Sequence, residues 1–194
     1  MLLREKIIVL KNQIFSESDL IVKGLNQKGS QLSFIAKGAL KSKKRFRGGV
    51  LEPSSYIELE FRFSKSSLHY IQQAWFLDDF SKLRTNWQRL NLALYFLSIM
   101  EKISQEGEED CRELFNLLGN SLKQTEISSD LDKLKIYFQT KVLFLQGVLS
   151  EKILLPEILN NAIEKHESLL LSSLKKTKLL QNLTQSLNHY LEIP

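Results

Sequence analysis

One cysteine, Cys111, in 194 residues excludes an intrachain disulfide and any zinc site built on several thiolates. Histidine is almost as scarce. His69, His166 and His189 are far apart in sequence and lack metal-ligand spacing. Long apolar runs are missing too. The most apolar stretch, Leu92–Met100, contains Ser98 and falls well short of the roughly 20 residues that span a bilayer. The opening Met-Leu-Leu-Arg-Glu-Lys becomes charged too early for a secretory signal. With eight glycines and three prolines there is no low-complexity segment, and no internal repeat is visible. These absences point to a cytoplasmic protein with no membrane segment, no cofactor and no structural metal.

Catalytic groups are lacking as well. No Gly-Lys-Ser/Thr phosphate loop and no dinucleotide fingerprint occurs. Cys111 is flanked by Asp110 and Glu113, the reverse of the electropositive setting that a reactive thiolate needs. Glu106, Glu108, Glu109 and Asp110 do not have the alternating spacing of a calcium loop and read as a solvated helix-start cluster. The expectation is a protein that binds rather than catalyses.

What the chain does have is positive charge in one place. Residues 37–47, Lys-Gly-Ala-Leu-Lys-Ser-Lys-Lys-Arg-Phe-Arg, hold six cations, one aromatic and no acid, and Gly48-Gly49 follows. Residues 1–83 carry 14 Lys/Arg against 8 Asp/Glu, whereas residues 84–194 carry 13 against 14. The whole-chain excess of +5 therefore belongs to the first part. A mobile basic loop projecting from a small sheet suits a phosphate backbone. The candidate contacts are Lys41, Lys43, Lys44, Arg45 and Arg47, with Lys37 at the base of the loop. Phe46, between two arginines, can stack on a base or tuck under a barrel, and both readings stand.

Hydrophobic periodicity divides the chain. Ile7–Ile14, Asp19–Leu25 and Gln31–Ala36 read as strands, with Gly29 in the turn before the third. In Tyr56–Phe63, Ile57, Leu59, Phe61 and Phe63 alternate with polar residues, which predicts a half-buried strand. Leu68–Leu77 makes a fifth. Five short strands predict a small barrel, without separating one five-stranded type from another. After Asp78-Asp79 the period lengthens to that of helices. Thr85-x-x-Gln88 resembles a capping box, and Leu90, Ala93, Leu94, Leu97 and Met100 form an apolar stripe. Asp110 and Glu113 suit the start of a second helix, with serines in 126–130 suited to capping a third. That third helix carries Leu131, Leu134, Phe138, Val142, Leu145 and Leu149; Pro156 opens a short helix, and Leu180, Leu183, Leu187 and Tyr190 mark the last. The expectation is an α+β chain of two domains, a β domain over 1–80 and an all-α domain over 81–194.

The order of short motifs resembles the RecO family of bacterial DNA-repair and recombination mediators. It rests on Glu17-Ser18-Asp19-Leu20, Lys28-Gly29 with Leu32-Ser33, and Ile35-Ala36-Lys37-Gly38-Ala39 running into the basic loop. Leu51-Glu52-Pro53, Ile57-Glu58-Leu59, Leu83-Arg84, Arg89-Leu90 and Ala93-x-Tyr95-x-Leu97 continue it. Glu106-Gly107-Glu108, Leu114-Phe115-x-Leu117-Leu118 and Phe138-x-x-Lys141-Val142-Leu143 with Gly147 complete it, over roughly residues 7–150. Many members of the family carry a four-cysteine zinc module after that last helix, and this chain does not. The part beyond Leu149 is shorter and matches poorly.

The resemblance implies an N-terminal OB-fold on a helical domain. It implies binding of single- and double-stranded DNA, annealing of complementary strands, and help in loading the RecA recombinase onto DNA coated by single-strand-binding protein. The implied partners are RecR and the C-terminal tail of the single-strand-binding protein, and the implied place is the cytoplasm, at the nucleoid. An RNA-binding OB-fold module and a protein-binding adaptor are the alternatives. A phosphate grip does not distinguish sugars, and leucine-rich helices can serve partners.

Overall fold

A computed structural model of the chain describes residues 2–42, 44–64, 68–107, 111–150 and 155–192. The acidic residues Glu108, Glu109 and Asp110 lie outside the described set, as does Lys43. The fold is α+β, five strands followed by helices. The chain divides into two compact units: residues 1–81 with 97–115, and residues 82–96 with 116–194.

The first unit is a closed five-stranded barrel of β1 (Leu2–Ile14), β2 (Leu20–Asn26), β3 (Gln31–Ala36), β4 (Tyr56–Arg62) and β5 (Leu68–Asp78). β1 is long enough to pair with β4 through its first half and with β2 through its second. β3 meets β5 in parallel, and β4 closes on β5 antiparallel. This circuit, 1-2-3-5-4 and back to 1, is the OB-fold. Alternation sends Ile7, Val9, Val22, Phe34, Ile57, Leu59, Phe61 and Ile71 inward, each at most 5% exposed. Phe34 and Phe61 meet edge-on, with ring centroids 5.3 Å apart. Phe63 departs from its expected inward place. β4 ends at Arg62, so the pleat no longer governs Phe63, which is exposed and stacks on His69 at 4.8 Å.

A second layer lies outside the barrel. Ile8, Leu10 and Leu25 point away from the core yet are at most 4% exposed. Segment 97–115 bonds to the barrel beside Leu25, at Gln31, which pairs with it. The Gln31 amide donates to the Gln105 carbonyl at 2.9 Å, and the Gln31 side chain donates to the Glu101 carbonyl at 3.1 Å. The Cys111 amide donates to the Lys28 carbonyl at 2.7 Å. Gly29, at φ +81°, makes that approach possible, since a Cβ there would stand 2.0 Å from the Cys111 carbonyl oxygen.

The second unit is helical. α1 (Trp87–Ile103) begins in it and ends in the first unit, and α2 (Arg112–Ile127) does the reverse. The α1 cap is Asn86, whose Oδ1 accepts from the Arg89 amide at 3.1 Å, whereas Thr85 donates to the Lys82 carbonyl. The expected capping box is thus displaced by one residue, because Thr85 belongs to a preceding 3-10 turn, Ser81–Thr85. α1 is also buried beyond the expected stripe. Leu92, Phe96 and Ile99 are inside, and Leu94 is exposed.

α3 (Leu131–Leu145) is capped by Asp130, which accepts from the Lys133 amide at 3.0 Å, rather than by a serine. Its middle, residues 136–140, is buried on every side, while Phe144 and Leu145 at its end are exposed. Phe138 stacks on Phe96 at 4.0 Å. α4 (Pro156–Leu159) has its proline in the first turn, and α5 (Ser173–Glu192) seats Leu183 and Leu187 in the core. Arg89 donates to the Thr125 and Ser128 carbonyls at the end of α2. Among the described residues no helix is long and apolar enough to cross a membrane.

Candidate nucleic-acid interface

The basic loop between β3 and β4 is held at both ends and along its length. The Gly38 amide donates to Asp19 Oδ1 at 2.7 Å and the Leu40 amide to the Ser18 carbonyl at 3.0 Å. The first bond is the chief reason that the Asp19 carboxyl sits below its ordinary pKa of 3.8. Gly38, at φ +67°, supplies the turn that leads into the loop. Ala39, Phe46, Val50 and Leu51 then enter the barrel core. The alternation of buried apolar and exposed cationic residues turns the charges outward. At these positions the loop is fastened to the barrel as a flap.

Phe46 is 7% exposed in the core cluster, so of its two readings the barrel wins and it is removed from the contact set. The apolar ring gains more from the barrel mouth than from solvent. Arg45 is partly structural. Its Nη2 donates to the Lys37 carbonyl at 2.6 Å and its guanidinium lies 5.0 Å from the Phe46 ring centre. Lys37 Nζ lies 5.1 Å over the Tyr70 ring. Lys41, Lys44 and Arg47 are exposed, and among the described residues no carboxylate is within ion-pair distance of them. Lys43 lies outside the described residues.

OB-folds commonly take oligonucleotides on the β2–β3 face. Here segment 97–115 occupies that face and brings acids to it. Glu101 Oε1 accepts from Lys23 at 3.1 Å and Lys11 at 3.4 Å, and Ser33 Oγ donates to Glu106 at 2.8 Å. With this segment included, the first unit carries 15 Lys/Arg against 14 Asp/Glu, and the second 12 against 8. Composition along the chain missed both points. Glu106, though exposed, also reaches back to Ser33, and nothing local in the sequence marks that contact or Asp19 as the loop's anchor.

In the helical unit Nδ1 of the buried His166 donates to the Ile163 carbonyl at 2.9 Å, and its Nε2 is hydrogen-bonded with Ser128 Oγ at 2.6 Å. Ser128 is 3% exposed and also receives the Asp130 amide, so the contact joins two segments and presents no nucleophile. A cavity of about 630 Å³ is lined by Trp87, Tyr95, Lys135 and Lys176 together with Asp130 and Asp132. Lys176 bridges the two aspartates at 3.3 and 3.5 Å, which leaves no concentrated charge there.

Residues 1–80 match the family described as "Recombination protein O N terminal". The chain is 36% identical over 133 residues to DNA repair protein RecO of Syntrophobacter fumaroxidans, covering 69% of this chain and 51% of that one. It is 32% identical over 151 residues to DNA repair protein RecO of Alkaliphilus metalliredigens, covering 76% and 59%. With the RecO of Syntrophus aciditrophicus it shares 35% over 140 residues, covering 72% and 53%. It thus spans somewhat over half the length of the curated relatives it matches. On this evidence the chain belongs to the RecO family.

Proposed function

We propose that this chain is a non-enzymatic DNA-binding protein of recombinational repair. It grips single- and double-stranded DNA through the flap between β3 and β4, and it acts in the cytoplasm at the nucleoid. The observation that carries the reading is Lys41, Lys44 and Arg47 held outward on the loop with no carboxylate within ion-pair distance among the described residues. Cations that meet no protein acid are free to meet phosphates, and the counterions released supply the affinity. Neutralised strands repel each other less, so the same grip favours annealing of complementary strands. Family membership supports a further role in loading RecA onto DNA coated by single-strand-binding protein, together with RecR. The acidic C-terminal tail of the single-strand-binding protein is assigned to the helical unit, whose excess of four positive charges suits it.

Titrating matched DNA and RNA oligomers at two salt concentrations, with an annealing assay on complementary strands, tests the proposal. DNA should bind with steep salt dependence and annealing should accelerate. Equal or tighter binding of RNA would favour the RNA-binding module. No binding of either polymer would leave the protein-binding adaptor.

A further inference from the structure

Strand β5 turns two aromatic rings outward, Tyr70 and Trp75, each 38% exposed. Residues five apart on a regular strand point to opposite faces. The register explains why these do not. Tyr70 pairs with Arg62 and Ile71 with Phe61, but Gln73 then pairs with Glu60, Ala74 with Leu59 and Trp75 with Glu58. Gln72 is an inserted residue, a β-bulge that resets the parity. Ile71 and Ala74 both face the core with their partners, while Tyr70 and Trp75 share the outer face. Without the bulge Trp75 would point into the barrel.

Each ring carries a cation. Lys37 Nζ lies 5.1 Å from the centre of Tyr70, and the Arg4 guanidinium lies 5.7 Å from that of Trp75. The basic flap runs beside the same strand, where the Ala74 amide donates to the Arg45 carbonyl at 3.3 Å. Single exposed aromatics are ordinary. Two brought to one face by a bulge, beside the exposed cations of the flap, make the pattern that single-stranded nucleic acid uses, stacking rings flanked by phosphate contacts. The usual OB face is meanwhile occupied by segment 97–115.

Resting on the DNA-binding reading above, we infer that Tyr70 and Trp75 are base-stacking platforms for single-stranded DNA on the outer face of β5, with phosphates of the same strand on the flap. The rings are roughly 16 Å apart by strand rise. Stacked neighbours in a duplex are ~3.4 Å apart. A strand that touches both rings must therefore splay its bases over several nucleotides, which a duplex cannot do. Arg4 pairs with Glu60 at 3.2 Å, and Glu58 lies opposite Trp75, so the rings sit on a nearly neutral patch. Their contribution should be insensitive to salt.

The test uses the full chain carrying Trp87→Phe, which leaves Trp75 as its sole tryptophan. Adding oligo(dT) should quench its emission, and a duplex of equal length should not. Tyr70→Leu and Trp75→Leu should each weaken single-strand binding roughly tenfold with an unchanged salt slope and unchanged duplex binding. Trp75→Phe, which keeps a ring, should retain most of the affinity and guards against misfolding of the leucine variant. If the emission is unchanged and the leucine variants bind single strands like the parent, stacking is refuted while the DNA-binding reading stands. Equal quenching by duplex and single strand would also refute it, as mere charge contact near the ring. If the parent binds no DNA, the reading beneath it fails first.

Discussion

Replacing Lys41, Lys44 and Arg47 together by Ala removes three exposed cations whose side chains bond no protein group among the described residues. Each single-strand phosphate contact adds about 0.7 to the slope of log affinity against log salt, so three lost contacts should flatten the slope by about 2.1. Raising salt from about 50 to about 200 mM is 0.6 of a decade, so over that range the variant should lose roughly twentyfold less affinity than the parent. Anisotropy of a labelled oligomer at four or five salt concentrations measures both slopes. The denaturant midpoint serves as control, and since the three positions are exposed it should stay within about 0.5 kcal/mol. Arg45→Ala is the contrast. It deletes the bond to the Lys37 carbonyl, so it should cost about 1 kcal/mol of stability and alter the slope less than the triple variant. A triple variant with the parent's slope would mean that the flap does not touch phosphate, whatever happens to its absolute affinity.

Gly29→Ala should destabilise the first unit by about 2–4 kcal/mol, combining a left-handed backbone at φ +81° with a Cβ 2.0 Å from the Cys111 carbonyl oxygen. Urea unfolding reads this, and an unchanged midpoint would show that segment 97–115 does not press on the β2–β3 turn. His69 gives a pH dependence. Burial holds its pKa below 6.5 against the opposing charge of Glu106, and its Nδ1 accepts from the Ser64 amide at 3.3 Å. Its folded pKa is lowered, so its contribution is complete above pH 6.5 and is lost as pH falls through the folded value. His69→Phe should therefore flatten the fall in stability between about pH 7 and pH 5 relative to the parent, and an imidazole titration at or above 6.5 by NMR would refute the sign.

The barrel was legible wherever one face of a strand is wet. Tyr56–Arg62 alternates because Glu58, Glu60 and Arg62 face outward, and Gln31–Ala36 has the expected bounds. The first residues of β1 were missed because Arg4, Glu5 and Lys6 interrupt the apolar pattern, although they pair fully with β4. The fates of Phe46 and Phe63 were not legible. Each follows from where the chain returns, and an aromatic beside a loop carries no period of its own. The bulge at Gln72 is hidden for a related reason, since it is a relation between two strands and neither sequence alone contains it.

Charge shows the difference between chain order and fold most sharply. Along the chain the first 83 residues hold 14 cations against 8 acids, yet the unit built on them is nearly neutral at 15 against 14. The six acids in the sequence of segment 97–115 account for the change, and two of them, Glu101 and Glu106, bond to barrel residues. A neutral unit can still bind DNA if its charges are sorted by place. The acidic segment is bonded at Gln31 and Ser33, near the start of β3, while the flap leaves the strand after Ala36. The carboxylates sit at the level of Ser33, which is three strand residues from Ala36, roughly 10 Å or little more than one Debye length at physiological salt. The field of the acids at the flap is therefore attenuated under those conditions. At low ionic strength, where the screening length grows to about 30 Å, they should oppose it. Neutralising Glu101 and Glu106 as Gln should then strengthen DNA binding at low salt and change it less at 0.15 M. An equal gain at both salts would mean that this face touches DNA directly once its acids are gone.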